Sequence, residues 1–197
     1  MNNQSKRVYI KNARRLFKEI SKYKLFAALI PKQNFNLNIA KILLKRPINS
    51  QQAYKNYGVQ GSNEWDIIRK TVYKEYSYTC NICGAKNTQL HAHELWKYNY
   101  EEETQKLRKI VCLCRLCHLH QHLGFANILI HKHKLDEKEY MDHWIKINGS
   151  TFQDFTNYAK KVFELWEIKN MFDFKVVDCK EKPIDSSITI NQILKCI

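Results

Sequence analysis

Glycine and proline are scarce in this chain: its 197 residues hold 5 of the first and 3 of the second. That excludes collagen-like and low-complexity chains and argues against a turn-rich all-β fold. No apolar run approaches the roughly 18 residues that a membrane span needs; the best stretch, Leu25 to Ile30, is far shorter. The opening MNNQSKRVYIKNARR lacks the apolar core of a signal peptide, so the expectation is a cytoplasmic protein with no membrane partner. Acid is nearly missing from the first third, where 13 Lys and Arg face Glu19 alone over residues 1–63. What is present is a 44% hydrophobic content, enough for a core and too much for wholesale disorder. The formal charge is +14. It divides as +12 over 1–63, +2 over 64–124 and zero over 125–197.

Such an excess, with 12% aromatic residues, points to a nucleic-acid partner. Lys6, Arg7, Lys11, Arg14, Arg15 and Lys18 are the candidate phosphate contacts. They fall on a predicted amphipathic helix in which Leu16, Phe17, Ile20, Tyr23 and Leu25 recur near helical spacing. The plain alternative is a solvated helix face. A second helical stretch, Leu37 to Leu44, stops ahead of Pro47, and 48–61 reads as a linker. Beyond residue 124 the pattern is mainly helical. Leu135 to Ile147 ends at Asn148-Gly149, and a helix capped by Ser150 or Thr151 follows to about Lys169. Phe174 to Val177 reads as a short strand, and the tail after Pro183 carries Ile188, Ile190, Ile193 and Leu194 to dock on the core. Trp144 and Trp166 read as core; His131, His133 and His143 read as surface. The organisation expected is a basic, mainly helical region over 1–63, a metal-bearing module over 64–124 and a mainly helical region with a short strand over 125–197.

The class is decided by cysteine spacing. There are 7 Cys, an odd number that does not suggest a disulfide framework. Four form two knuckles, Cys80-Asn-Ile-Cys83 and Cys114-Arg-Leu-Cys117, which can place four thiolates around one structural Zn2+. Gly84 stands after the first knuckle, where a tight turn needs a residue without Cβ. Cys112, Cys179 and Cys196 are expected to be buried free thiols.

Eight His occur, and His91, His93, His118, His120 and His122 cluster around the knuckles. On a helix His118 and His122 share a face and His120 points elsewhere. On a strand His91 and His93 share a face and Glu94 takes the other. A strand imidazole meeting two helix imidazoles makes a three-His site with open positions, the mark of a catalytic metal.

The runs Cys80-Asn-Ile-Cys83-Gly84, Leu90-His91-Ala92-His93-Glu94-Leu95-Trp96 and Leu113-Cys114-Arg-Leu-Cys117-His118-Leu-His-Gln-His122-Leu-Gly124 together resemble the HNH endonucleases. The branch they resemble has the ββα-metal fold with an integral zinc ribbon. Trp65 to Tyr73, and the pattern of Asn148-Gly149, Phe155, Ala159 and Trp166, resemble the bacterial branch more loosely. The resemblance implies an α+β fold with a ββα-metal core and structural zinc ribbon inside mainly helical extensions. It implies that His93, His118 and His122 hold one catalytic divalent ion: Mg2+, Mn2+, Ni2+ or Zn2+. Glu94 stands where most members carry the general-base His, and His91 is the alternative base. The family's central Asn falls near Lys109, with Gln105 as a conceivable substitute.

The function expected is phosphodiester hydrolysis in DNA, in phage defence or a mobile element, with Lys97 or Arg115 bracing the phosphate. RNA is left open as substrate, and so is a homodimer. The rival expectation is a catalytically silent zinc-containing module that binds nucleic acid, favoured by Glu94 and Lys109. A zinc scaffold that binds protein partners through the neutral C-terminal third is a third.

Overall fold

The computed structural model describes residues 2–27, 29–37 and 39–197, with side chains given except at 35–37. Its elements, in chain order, are α1 (Asn3–Ile20), a 3-10 turn (Lys32–Leu37), α2 (Ile39–Leu44), α3 (Ser50–Tyr57), α4 (Glu64–Glu75), β1 (Leu90–Asn99), β2 (Thr104–Cys114), α5 (Arg115–Gln121), α6 (Leu123–His131), α7 (Glu137–Asn148), α8 (Phe152–Lys169), β3 (Lys175–Val177) and α9 (Ile190–Leu194). The fold is mixed α+β. Among the described residues no helix is long and apolar enough to cross a membrane. By packing the chain forms two units, one of residues 1–32 and 115–172, the other of 33–114 and 173–197.

The second unit is built on a three-stranded sheet of order β1-β2-β3, in which β1 and β2 form an antiparallel hairpin and β3 lies parallel to β2. Ala92, Glu94 and Trp96 share one face of β1, opposite Cys112, Ile110 and Leu107 of β2. Arg108 is the extra residue of a bulge, which keeps Leu107 on the same face as Ile110 despite their spacing of three. Leu107, Ile110 and Cys112 are buried with Ile67, Ile68 and Val72 of α4 and with Ile188, Ile190 and Ile193 of the tail. The tail therefore docks on the core, as its spaced isoleucines suggest. Tyr73 Oη donates to the Leu90 carbonyl at 2.7 Å, pinning α4 to the start of β1.

Two expectations change in this unit. The supposed linker 48–61 contains α3: Asn49 caps its N-terminus by accepting from Gln51 and Gln52, and Gly58 closes it in the left-handed conformation. Cys179 and Cys196 are joined in a disulfide rather than free. Cys112 is the buried free thiol expected. The predicted helix at Leu37 to Leu44 is α2, beginning at Ile39; the side chain of Leu37 lies outside the described residues.

In the first unit α1 packs on α8, burying Ile10, Ala13, Leu16 and Ile20. The helix ends at Ile20, before Tyr23 and Leu25, and Phe17 is exposed, so the apolar face is narrower than its periodicity suggests. Residues 21–27 and 29–31 form no helix or strand, and their backbone groups need other partners. Side chains of α7 and α8 supply them. Trp144 Nε1 donates to the Leu25 carbonyl at 2.8 Å, and the Leu25 N–H donates to Asn148 at 3.0 Å. The Ala27 N–H donates to Tyr158 Oη at 2.6 Å, and Trp166 Nε1 donates to the Ile30 carbonyl at 2.9 Å. Gly149 caps α7 in the left-handed conformation, and Thr151 with Asp154 forms the capping box of α8.

Lys169 completes the series, its Nζ donating to the Leu29 carbonyl at 3.0 Å from a buried position. Burial lowers its pKa to about 7. The unfolded chain therefore holds a proton here that the folded chain releases between about pH 7 and the ordinary lysine value near 10.4. Stability should rise across that window, by up to about 1.4 kcal/mol per pH unit from this group. Urea titrations at pH 7, 8 and 9 check this: the Lys169→Met variant should have the shallower pH slope, and parallel slopes would refute the assignment.

Candidate metal centres

The first knuckle is shaped by backbone bonds around a tight turn. The Gly84 N–H donates to the Cys80 carbonyl at 3.0 Å and the Cys80 N–H to the Ala85 carbonyl at 2.9 Å. Gly84 takes φ +75°, the left-handed conformation that its lack of Cβ permits. The Asn81 N–H donates to the Cys112 carbonyl at 2.8 Å, which fastens the turn to the end of β2. Cys114 is the last residue of β2, and Cys117 lies in the first turn of α5. The sulfurs of Cys80, Cys83, Cys114 and Cys117 form a group that could hold a metal ion, all within 4.8 Å of one another. Cys83 Sγ and Cys114 Sγ are 3.6 Å apart. Thiolates at 2.3 Å from a tetrahedral Zn2+ stand about 3.8 Å apart, so the donor set and spacing fit zinc. Buried Cys112 is outside the group, and burial pushes its thiol up to about 11.

His118 and His122 present Nε2 atoms 3.2 Å apart. Two nitrogens bound to one ion at about 2.1 Å stand about 3 to 3.4 Å apart, so the pair is spaced as ligands of a shared ion. The expected single helix is broken there: α5 ends at Gln121, and His122 has φ −121° at the head of α6. His93, on β1, is 8% exposed and lies directly opposite Val111. One ring nitrogen from each of His93, His118 and His122 falls within a 4.8 Å group.

His120 turns away from that pair. Its ring lies flat on Tyr140, centroids 3.8 Å apart, with Nε2 2.9 Å from the Tyr140 carbonyl, and burial lowers its pKa to about 3. His91 is half-buried on the same strand face as His93. Glu94 is on the other face, with Ala92 and Trp96, both packed against the hydrophobic cluster, and burial raises its carboxyl pKa. Lys109 is exposed on β2 opposite Leu95. Gln105 is buried and accepts from Asn34 Nδ2 at 2.9 Å, an internal amide pair at the far end of β2 from Cys114.

The charged candidates are spread along the chain. Lys97 is exposed on the His91 and His93 face of β1. Arg115 begins α5 and donates to the Lys134 carbonyl at 3.4 Å. On α1, Arg7, Lys11, Arg14 and Lys18 are exposed and form one stripe at i, i+4, i+7 and i+11. Arg15 pairs with Glu19 at 2.8 Å, and Glu19 also meets Lys161 at 2.6 Å. Lys6 is half-buried.

One residue missed by sequence reasoning is His143, expected at the surface and found half-buried with Nε2 3.2 Å from Cys117 Sγ. Its neighbours on α7 carry no metal-ligand spacing, so nothing local announces it. His131 and His133 are exposed as expected. Compared with protein-family models, with curated proteins and with solved structures, the chain matches none.

Proposed function

We propose that this protein is a metal-dependent endonuclease of the HNH type that hydrolyses phosphodiester bonds in DNA. The observation that carries the reading is the pairing of a four-thiol group with a three-imidazole group inside residues 80–122. Four thiols complete a tetrahedral ion and serve structure, whereas three imidazoles leave positions open for water or phosphate. His93, His118 and His122 would hold a divalent ion, which would supply positive charge to a phosphodiester substrate. His91, sharing the His93 strand face, accepts the proton of the attacking water; Glu94, on the opposite face, does not. Lys97 on that same face and Arg115 at the start of α5 offer charge to the phosphate.

The stripe of Arg7, Lys11, Arg14 and Lys18 supplies affinity without sequence readout. Each phosphate neutralised contributes about 0.9 to the slope of log affinity against log salt. Replacing all four by Ala should therefore flatten that slope by about 3 to 4 in a fluorescence-anisotropy titration of duplex DNA. An unchanged slope would separate α1 from DNA binding.

The test of the activity is supercoiled plasmid incubated with the metal-stripped and reloaded full chain, separately in Mg2+, Mn2+, Ni2+ and Zn2+. Nicking or linearisation with at least one ion, abolished by chelator, is expected. Tight salt-sensitive binding with no cleavage in any ion would select the second reading, a silent zinc module that binds nucleic acid. That reading draws on Glu94 and Lys109, which stand where the resembled family has His and Asn.

A further inference from the structure

Cys117 has a polar neighbour outside the four thiols. His143 on α7 places Nε2 3.2 Å from Cys117 Sγ. It is not a member of the group whose ligand atoms lie within 4.8 Å of one another, so it faces the cysteine from outside the donor set. Its ring is nearly parallel to that of His120, with centroids 6.0 Å apart and planes at 12°. His120 in turn lies flat on Tyr140, one turn ahead of Trp144 on the same helix. The imidazole is thus held in place by packing on α7.

We infer that His143 is a positioning residue of the zinc centre, donating Nε2–H to the Cys117 thiolate and tying that ligand to α7. The inference rests on the reading that the four thiols hold zinc, and not on nuclease activity. Four thiolates leave Zn2+ with a net charge of −2, and an N–H donor aimed at one sulfur offsets part of that charge in a buried site. Partners of this kind orient ligands and tune the metal, and their loss commonly weakens metal binding about 10- to 100-fold. The bond also makes α7 sensitive to the metal: with zinc bound Cys117 is a thiolate that accepts strongly, and without it a thiol that accepts weakly.

The test uses the full chain, stripped of metal and reloaded with Co2+ or with Zn2+. Cobalt in a thiolate site shows a sulfur-to-metal charge-transfer band whose energy reports hydrogen bonding to sulfur. His143→Ala should move that band to lower energy and weaken zinc about 10- to 100-fold in competition with a chelating dye. His143→Gln, whose amide can donate, should recover part of both effects. A His143→Ala protein with the wild-type band and wild-type zinc affinity would overturn the inference. Weakened zinc in both variants with an unmoved band would also overturn it, showing packing alone. A wild-type chain with no four-thiolate cobalt spectrum would instead defeat the zinc reading beneath it.

Discussion

Emptying the four-cysteine site is expected to lower stability more than replacing any single side chain elsewhere in the protein. Structural zinc contributes about 10–16 kcal/mol of binding energy in small zinc peptides, and that energy is coupled to folding. A whole domain is stable by only about 5–15 kcal/mol. Here the metal would join a short turn, whose own bonds are Gly84 to Cys80, Cys80 to Ala85 and Asn81 to Cys112, to the end of β2 and the start of α5. The Cys80→Ser, Cys83→Ser double variant should lose one zinc per chain by elemental analysis and melt more than about 10 °C lower. The disulfide between Cys179 and Cys196 is the proper comparison. It closes a span of 17 residues, for which chain entropy assigns about 3 kcal/mol. Cys179→Ser should therefore cost less than the knuckle variant. The reverse order would mean that the four thiols hold no structural metal.

The largest expected effect on activity is at His118. A metal's charge on a phosphoryl oxygen is worth several kcal/mol, and each 1.36 kcal/mol is tenfold in rate. His118→Ala should thus lower the DNA-cleavage rate by about 10³-fold or more while leaving the circular-dichroism spectrum unchanged. His91→Ala, which removes the proposed proton acceptor, should cost about 10²- to 10⁴-fold. Glu94→Gln should stay within about threefold, because that side chain shares its strand face with Ala92 and Trp96 and not with His93. Initial rates on plasmid DNA in Mn2+ rank the three variants. A greater loss in Glu94→Gln than in His91→Ala would transfer the base to Glu94.

The parts of this structure legible in the sequence are those written in short-range spacing. The knuckles, the His118 and His122 pair, the strand alternation that puts His91 and His93 on one face, and the caps at Gly149 and Thr151 each depend on residues within about four positions. Much of what stayed hidden depends on partners far along the chain. Cys179 and Cys196 are 17 apart with no spacing rule to join them, and His143 meets Cys117 from a different helix. The Asn, Gln and Gly content of 48–61 suggests a linker, yet Asn49 and Gly58 are the cap residues that bound α3. Phe17 fits the periodic pattern of α1 yet lies outside the buried stripe of Ile10, Ala13, Leu16 and Ile20, because α8 covers a narrower face than periodicity marks. Gln105 looked available as a stand-in for an Asn, but its amide is engaged by Asn34 from outside the hairpin.

Anomalous scattering from crystals of the full chain grown with zinc and soaked in Mn2+ tests the account most directly. Data on both sides of the zinc edge and at a manganese-sensitive wavelength separate the two ions. Zinc is expected among Cys80, Cys83, Cys114 and Cys117, and a second ion on the nitrogens of His93, His118 and His122 that keeps solvent ligands. A zinc peak at the cysteines with no ion at the histidines, even at millimolar Mn2+, would contradict it.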